Sequence, residues 1–227
     1  MKSDRKNAIW VGILFIISTA AGALSMVPLG NILGDSNNFI SLALYENKLI
    51  IGVFLELICA GAFVGISVVM YSVLKKYNET IAQGYVIARA LESVPFIIGV
   101  ISLLSIIPLS QSYAQAGASG SSVFVPVISS LIAAHDFTNL IGSMIIFSIT
   151  AIVLNYALLK TRLVPKFISI WGLIGAPMML AAGVLGVCGL SFTSTLSVVL
   201  VAPIAINEMA LALWLIIKGF NPNSIKV

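Results

Sequence analysis

Two ionisable side chains sit three residues apart in the stretch VIARALESVPF: Arg89 and Glu92. On a helix, residues at i and i+3 share a face and touch, so a guanidinium and a carboxylate at this spacing form an ion pair. Three more ionisable groups lie in equally apolar surroundings: Glu56 in FLELICAGAF, Glu208 in INEMALALWLIIKG, and His135 in AAHDFTNLIG. Carboxylates beside a guanidinium and an imidazole can exchange protons, hold a cation, or orient an anionic headgroup. One Arg also offers five donors in a planar fork, enough for a second carboxylate as well as Glu92. Glu208 and Glu56 are the acids available for that place, and Glu208 is preferred because its estimated depth matches best.

The elements that position these groups follow from composition. Of 227 residues, 59% are hydrophobic and only 9% are charged, with mean hydropathy +1.11. A soluble domain carries about 25% charged residues, so this chain cannot coat a water-facing surface. The net charge of +4 lies in short connections, where membrane topology accounts for it, and is not a nucleic-acid footprint. A helix spanning a bilayer needs about 20 mostly apolar residues. Six segments qualify, near 7–28, 48–74, 81–108, 130–159, 167–189 and 195–218. They are continuously apolar, without the alternation of a membrane β-barrel. The expected fold is therefore all-α, a polytopic transmembrane bundle of six helices forming one domain over 1–227.

Basic residues orient it. Lys2, Arg5, Lys6, Lys75, Lys76, Lys160, Arg162, Lys166, Lys218 and Lys226 flank the spans at one end, and only Lys48 lies at the other. The positive-inside rule puts both termini in the cytoplasm and the chain in the cell (plasma) membrane as a multi-pass protein. The first segment has a signal-peptide-like basic start, but its apolar run exceeds the 7–15 residues of a signal h-region, so we read it as a span. The uncharged stretch SQSYAQAGASGSSVF is expected as an outer connection, and GNILGDSNNFISLALYEN as one holding a short surface helix. IWVGILFIISTAAGAL and IWGLIGAPMMLAAGVL, in the first and fifth segments, echo each other and admit a repeat of two hairpins.

At 1.5 Å per residue, Arg89, Glu92 and Glu208 fall near mid-membrane, Glu56 nearer the outer side, and His135 with Asp136 at the outer interface. A lone charge at mid-membrane costs about 2.5–3.5 kcal/mol on translocon scales, so these groups must pair, line a wet cavity or be neutral. Small-residue stripes place the acids on helix-contact faces: Gly52, Glu56 and Ala60; Ala205, Glu208 and Ala212; His135, Asn139 and Gly142. Tyr85, Arg89, Glu92, Ser93 and Phe96 form a more aromatic one. Adjacent residues do not face each other on a helix, so His135 and Asp136 are read as an interfacial polar cap rather than a catalytic couple. One histidine and two cysteines are too few for a zinc site, and no disulfide framework, nucleotide, haem or flavin motif is visible. No metal or cofactor is expected. Gly61 and Gly65 make a GxxxG match, a weak dimer signal.

Four stretches carry a resemblance: RKNAIWVGILFIISTAAG, ARALES, LLKTRLVPKFISIWGLIGA and INEMALALWLIIKGFN. Together, and over nearly the whole chain, they are similar to the prokaryotic domain-of-unknown-function family 4386. The resemblance implies a multi-helix membrane protein, with His135 matching a histidine common at the head of the fourth helix, and supplies no reaction. Three functions stand open at this point. The first is a protein that binds or moves a small or amphiphilic ligand through a polar pocket within the membrane, with Arg89, Glu92, Glu208, Glu56 and His135 as its candidate residues. The second is an intramembrane enzyme acting on a lipid or isoprenoid. The third is a structural or regulatory subunit whose charges clamp helices together.

Overall fold

The computed structural model describes residues 2–33, 45–116, 121–191, 194–222 and 224. Among these residues there is no strand. Helices α1 (Lys2–Leu33), α2 (Glu46–Leu74) and α3 (Glu79–Ala116) are followed by α4 (Ser121–Leu140), a π-helical stretch (Ile141–Ile146) and α5 (Phe147–Thr161), then α6 (Lys166–Val187) and α7 (Thr195–Ile217). α4, the π stretch and α5 run on as one apolar span, Val123–Thr161, so among the described residues six helices are long and apolar enough to cross a membrane.

Two spans exceed the expected bounds by about two helical turns. The third continues past Pro108 to Gln115, and the fourth begins at Val123 rather than near 130. Polar residues at these ends do not break the helix because their hydroxyls bond back to its own carbonyls. Ser110 donates to Ile107 O, Ser112 to Pro108 O and Ser130 to Pro126 O, at 2.8–2.9 Å. Most of the supposed outer connection SQSYAQAGASGSSVF is thus helical, and its residues 117–120 lie outside the described residues. The expected surface helix falls on 34–44, also outside them, while 30–33 belong to α1.

The spans close into a ring: α1 packs on α2, α2 on α3, α3 on α4 and α5, α5 on α6, α6 on α7, and α7 back on α1. The neighbour pairs α1–α2 and α6–α7 suit the hairpin repeat, but any up-and-down bundle contains them. Side chains tie the starts and ends together at the basic end. Arg5 caps the carbonyls of Leu215, Ile216 and Ile217 at the end of α7, Lys76 pairs with Asp4, and Asn7 donates to Ser72. Asn78 caps α3 by accepting from Ile81 N at 3.0 Å.

One apolar core fills the basic end, built on Val11, Phe15, Ile66, Met70, Leu158 and Leu211. A second, with Leu29, Leu49, Leu103 and Ile128, fills the other end. Close helix approach depends on missing side chains. A Cβ on Gly175 would stand 2.9 Å from Ile204 N, and one on Gly142 would stand 3.0 Å from Pro95 Cβ. Of the GxxxG pair, Gly65 lies against Leu14 of the same chain and Gly61 faces open space.

Candidate functional site

Arg89 occupies the centre of the ring. It is the largest fully buried side chain among the described residues, 1% exposed, and five spans, its own included, send a group to it. Its own helix supplies two: Nη1 donates to Glu92 Oε1 at 2.7 Å, and Nε donates to the Tyr85 hydroxyl at 3.0 Å. Both follow from helical spacing, i+3 and i−4. Around the guanidinium stand the rings of Phe15 from α1, Phe63 from α2, Tyr85 from α3 and Phe147 from α5, with centroids 5.3–5.8 Å from Cζ. All four lie within cation–π range, each contributing about 0.5–2 kcal/mol when desolvated. From α7, Glu208 brings Oε1 to 3.8 Å from Nη2. That distance is an ion pair and too long for a hydrogen bond. Glu208 keeps 16% of its side chain exposed, whereas Glu92 is wholly enclosed.

Glu92 uses one carboxylate oxygen. Its Oε2 is buried with no hydrogen-bond partner among the described residues. Thr150 of α5, also fully buried, stands beside it and donates to Ile146 O at 3.1 Å instead.

Glu56 joins a different base. It was a candidate second acid for Arg89; its Oε1 instead lies 2.9 Å from His135 Nε2 and accepts from Asn139 Nδ2 at 3.3 Å. His135, expected as an interfacial polar cap, is 4% exposed and bridges α4 to α2, so its ring is turned into the bundle. A Cβ on Gly99 of α3 would stand 3.2 Å from His135 Cδ2, so the bare backbone makes room for the ring. Adjacent residues also approach more closely than helix geometry suggests: His135 Nδ1 lies 3.5 Å from Asp136 Oδ1, with Asp136 mostly exposed. Glu56 Oε2 is a second buried carboxylate oxygen without a hydrogen bond among the described residues.

The π stretch, Ile141–Ile146, lies between Asn139 of the Glu56 cluster and Phe147 and Thr150 of the Arg89 hub. Its Gly142 packs under Pro95 and Phe96 of α3, while Met144 and Ile145 pack on Gly183 of α6. Such wide turns inside helices recur at functional sites.

Of the sequence-predicted groups, Arg89, Glu92 and Glu208 are brought together, and Glu56 with His135 forms a separate cluster. Ala205, expected on the Glu208 contact face, is exposed. Phe15, Phe63 and Phe147 were missed, and nothing marks them among twenty Phe, Trp and Tyr residues. Tyr85 was signalled by its i−4 spacing from Arg89. Three further buried polar residues were missed too: Asn155, Ser169 and Asn207, on α5, α6 and α7, each 2% exposed or less. Asn155 donates to Ala151 O and Asn207 to Ile168 O, at 2.9 and 2.8 Å. Among the described residues no group of three His, Cys, Asp or Glu side chains is placed to hold a metal ion.

Six apolar spans closed around buried ionic groups define a polytopic α-helical membrane protein. The model of the family described as "Domain of unknown function (DUF4386)" matches residues 10–219, and the chain belongs to that family. No curated protein and no solved structure matches the chain significantly.

Proposed function

We propose that the protein binds and moves a proton, or a small ligand carrying positive charge, through an intramembrane polar pocket centred on Arg89, Glu92 and Glu208. The observation that carries this reading is the position of Glu208: near enough to pair with Arg89, not hydrogen-bonded to it, and partly open. Charge balance supports it. One guanidinium faces two carboxylates, leaving one surplus negative charge that a proton or cation neutralises. Glu208 is the acid that exchanges; Glu92, enclosed and bonded at 2.7 Å, holds Arg89 in place. Glu56 with His135 forms a second exchange point on the side away from the basic end. With that end in the cytoplasm, as basic-residue asymmetry suggests, the two clusters lie in series across the cell membrane.

The test is proton flux into proteoliposomes under an imposed membrane potential, read with an entrapped pH dye. Flux in the wild type that is lost in Glu208→Gln, with thermal stability retained, supports the reading. Absence of wild-type flux, together with native mass spectra showing no retained small molecule, overturns it.

The four-ring cage favours a second reading, a structural clamp at the ring centre. A clamp predicts lowered stability in Glu208→Gln and no flux in either protein. The intramembrane enzyme acting on lipids has no particular geometric feature in its favour.

A further inference from the structure

The basic end carries a pocket that the ionic hub does not use. A cavity of about 380 Å³ opens between the α5–α6 loop and the segment after α7, lined by Arg162, Lys166 and Lys218 with Trp214, Phe220 and Asn221. The volume suits a small polar headgroup. Three cations line it and no carboxylate does, and none of the three makes an ion pair among the described residues. The pocket is built. Arg162 holds a left-handed backbone at φ 55°, and Asn221 ties the two walls by donating Nδ2 to Arg162 O at 3.1 Å and its backbone N to Leu163 O at 2.8 Å. Arg5 already caps the last carbonyls of α7, so Lys218 is not needed there.

Depth identifies the occupant. Lys166 opens one apolar span and Lys218 directly follows the end of another, Ile217, so both cations lie at the ends of segments long and apolar enough to cross a membrane, where headgroups begin when such segments do cross. Trp214, one helical turn before Lys218, lines the same pocket, and tryptophans are enriched at membrane interfaces. Below Lys166, Ile170 and Ile174 follow at i+4 and i+8, both exposed, and continue the face as an apolar strip that acyl chains can cover. We infer that this pocket is a binding site for the phosphate of an anionic phospholipid, with Arg162, Lys166 and Lys218 on the headgroup and Trp214 at the glycerol level. The inference stands apart from the proton reading and survives its failure.

The experiment uses the full chain purified in neutral detergent and native mass spectrometry with phosphatidylglycerol or phosphatidylcholine of the same acyl composition. Wild type should retain phosphatidylglycerol in preference. Arg162→Asn with Lys166→Gln and Lys218→Gln, Asn being chosen because it tolerates the left-handed backbone, should weaken that retention at least about tenfold. The control removes the same charge from the same end outside the pocket: Lys6→Gln with Lys75→Gln and Lys160→Gln should change it less than about twofold. If the triple pocket variant does not fold, Lys166→Gln with Lys218→Gln leaves the loop untouched and should still lose most of the preference. Equal losses in pocket and control variants, or equal retention of the two lipids by wild type, overturn the site. So does saturable binding of inorganic phosphate alone with the same three-cation dependence, which would make it a site for soluble anions.

Discussion

Glu208 Oε1 stands 3.8 Å from Arg89 Nη2, across from a helix that is a distant neighbour in sequence, while Glu92 holds the same guanidinium at 2.7 Å from one turn away. The two acids are therefore unequal partners, one bonded and enclosed, the other near and partly open.

That inequality predicts the order of rescue. Arg89→Ala leaves buried carboxylates uncompensated and should cost about 3–5 kcal/mol. Adding Glu92→Gln should recover more of this loss than adding Glu208→Gln, since the shorter contact couples more strongly. Arg89→Lys should restore only part, because an ammonium cannot bond Tyr85 and Glu92 through a rigid fork. Thermal unfolding in detergent of the single and double variants reads these differences. Simple additivity for both acids would remove Arg89 from the role of hub.

The Glu56–His135 contact predicts coupling between α2 and α4. His135→Ala should cost about 1–3 kcal/mol, since it strips a buried carboxylate of its nearest partner. A double-mutant cycle with Glu56→Gln should give an interaction of about 0.5 kcal/mol or more. A null cycle would mean that Asn139 alone satisfies the acid.

Two glycines of opposite surroundings give a packing test. Gly175→Ala drives a methyl group against the backbone of Ile204 and should cost about 1–3 kcal/mol. Gly61→Ala meets nothing within 4 Å and should be neutral or stabilising by up to about 1 kcal/mol through helix propensity. Loss of stability in Gly61→Ala, together with a wild-type stability that falls on dilution, would instead reveal a partner helix on that face.

Orientation is open to chemical labelling. In a Cys188→Ser background, which removes the exposed native thiol, Asn78→Cys should be shielded from an impermeant maleimide added to intact cells and Gln115→Cys should react. The reverse pattern would invert the bundle and place the basic pocket on the outer surface.

Much of this was legible in the chain itself. Six apolar stretches of sufficient length dictate six spans, because unsatisfied backbone groups in hydrocarbon admit little else. The same physics required the ionisable groups to leave the lipid, and helical spacing alone paired Arg89 with Glu92 and set Tyr85 behind them. Boundaries were less legible where serine hydroxyls bond back to the helix at Ser112 and Ser130, since their polarity reads as a loop while their local bonding extends the helix. What only the tertiary structure decided was every match between helices. Glu56 and Glu208 were alike in residue type and stripe, and depth along the helices already favoured Glu208 as the second acid; the azimuth of each helix in the ring sent Glu208 to Arg89 and Glu56 to His135. Phe15, Phe63 and Phe147 became a cage, and Arg162, Lys166 and Lys218 one pocket, for the same reason. Spacing along a helix determines which side chains share its face, but the packing of bare glycines, the π turn and the closure of α7 onto α1 determine what that face meets.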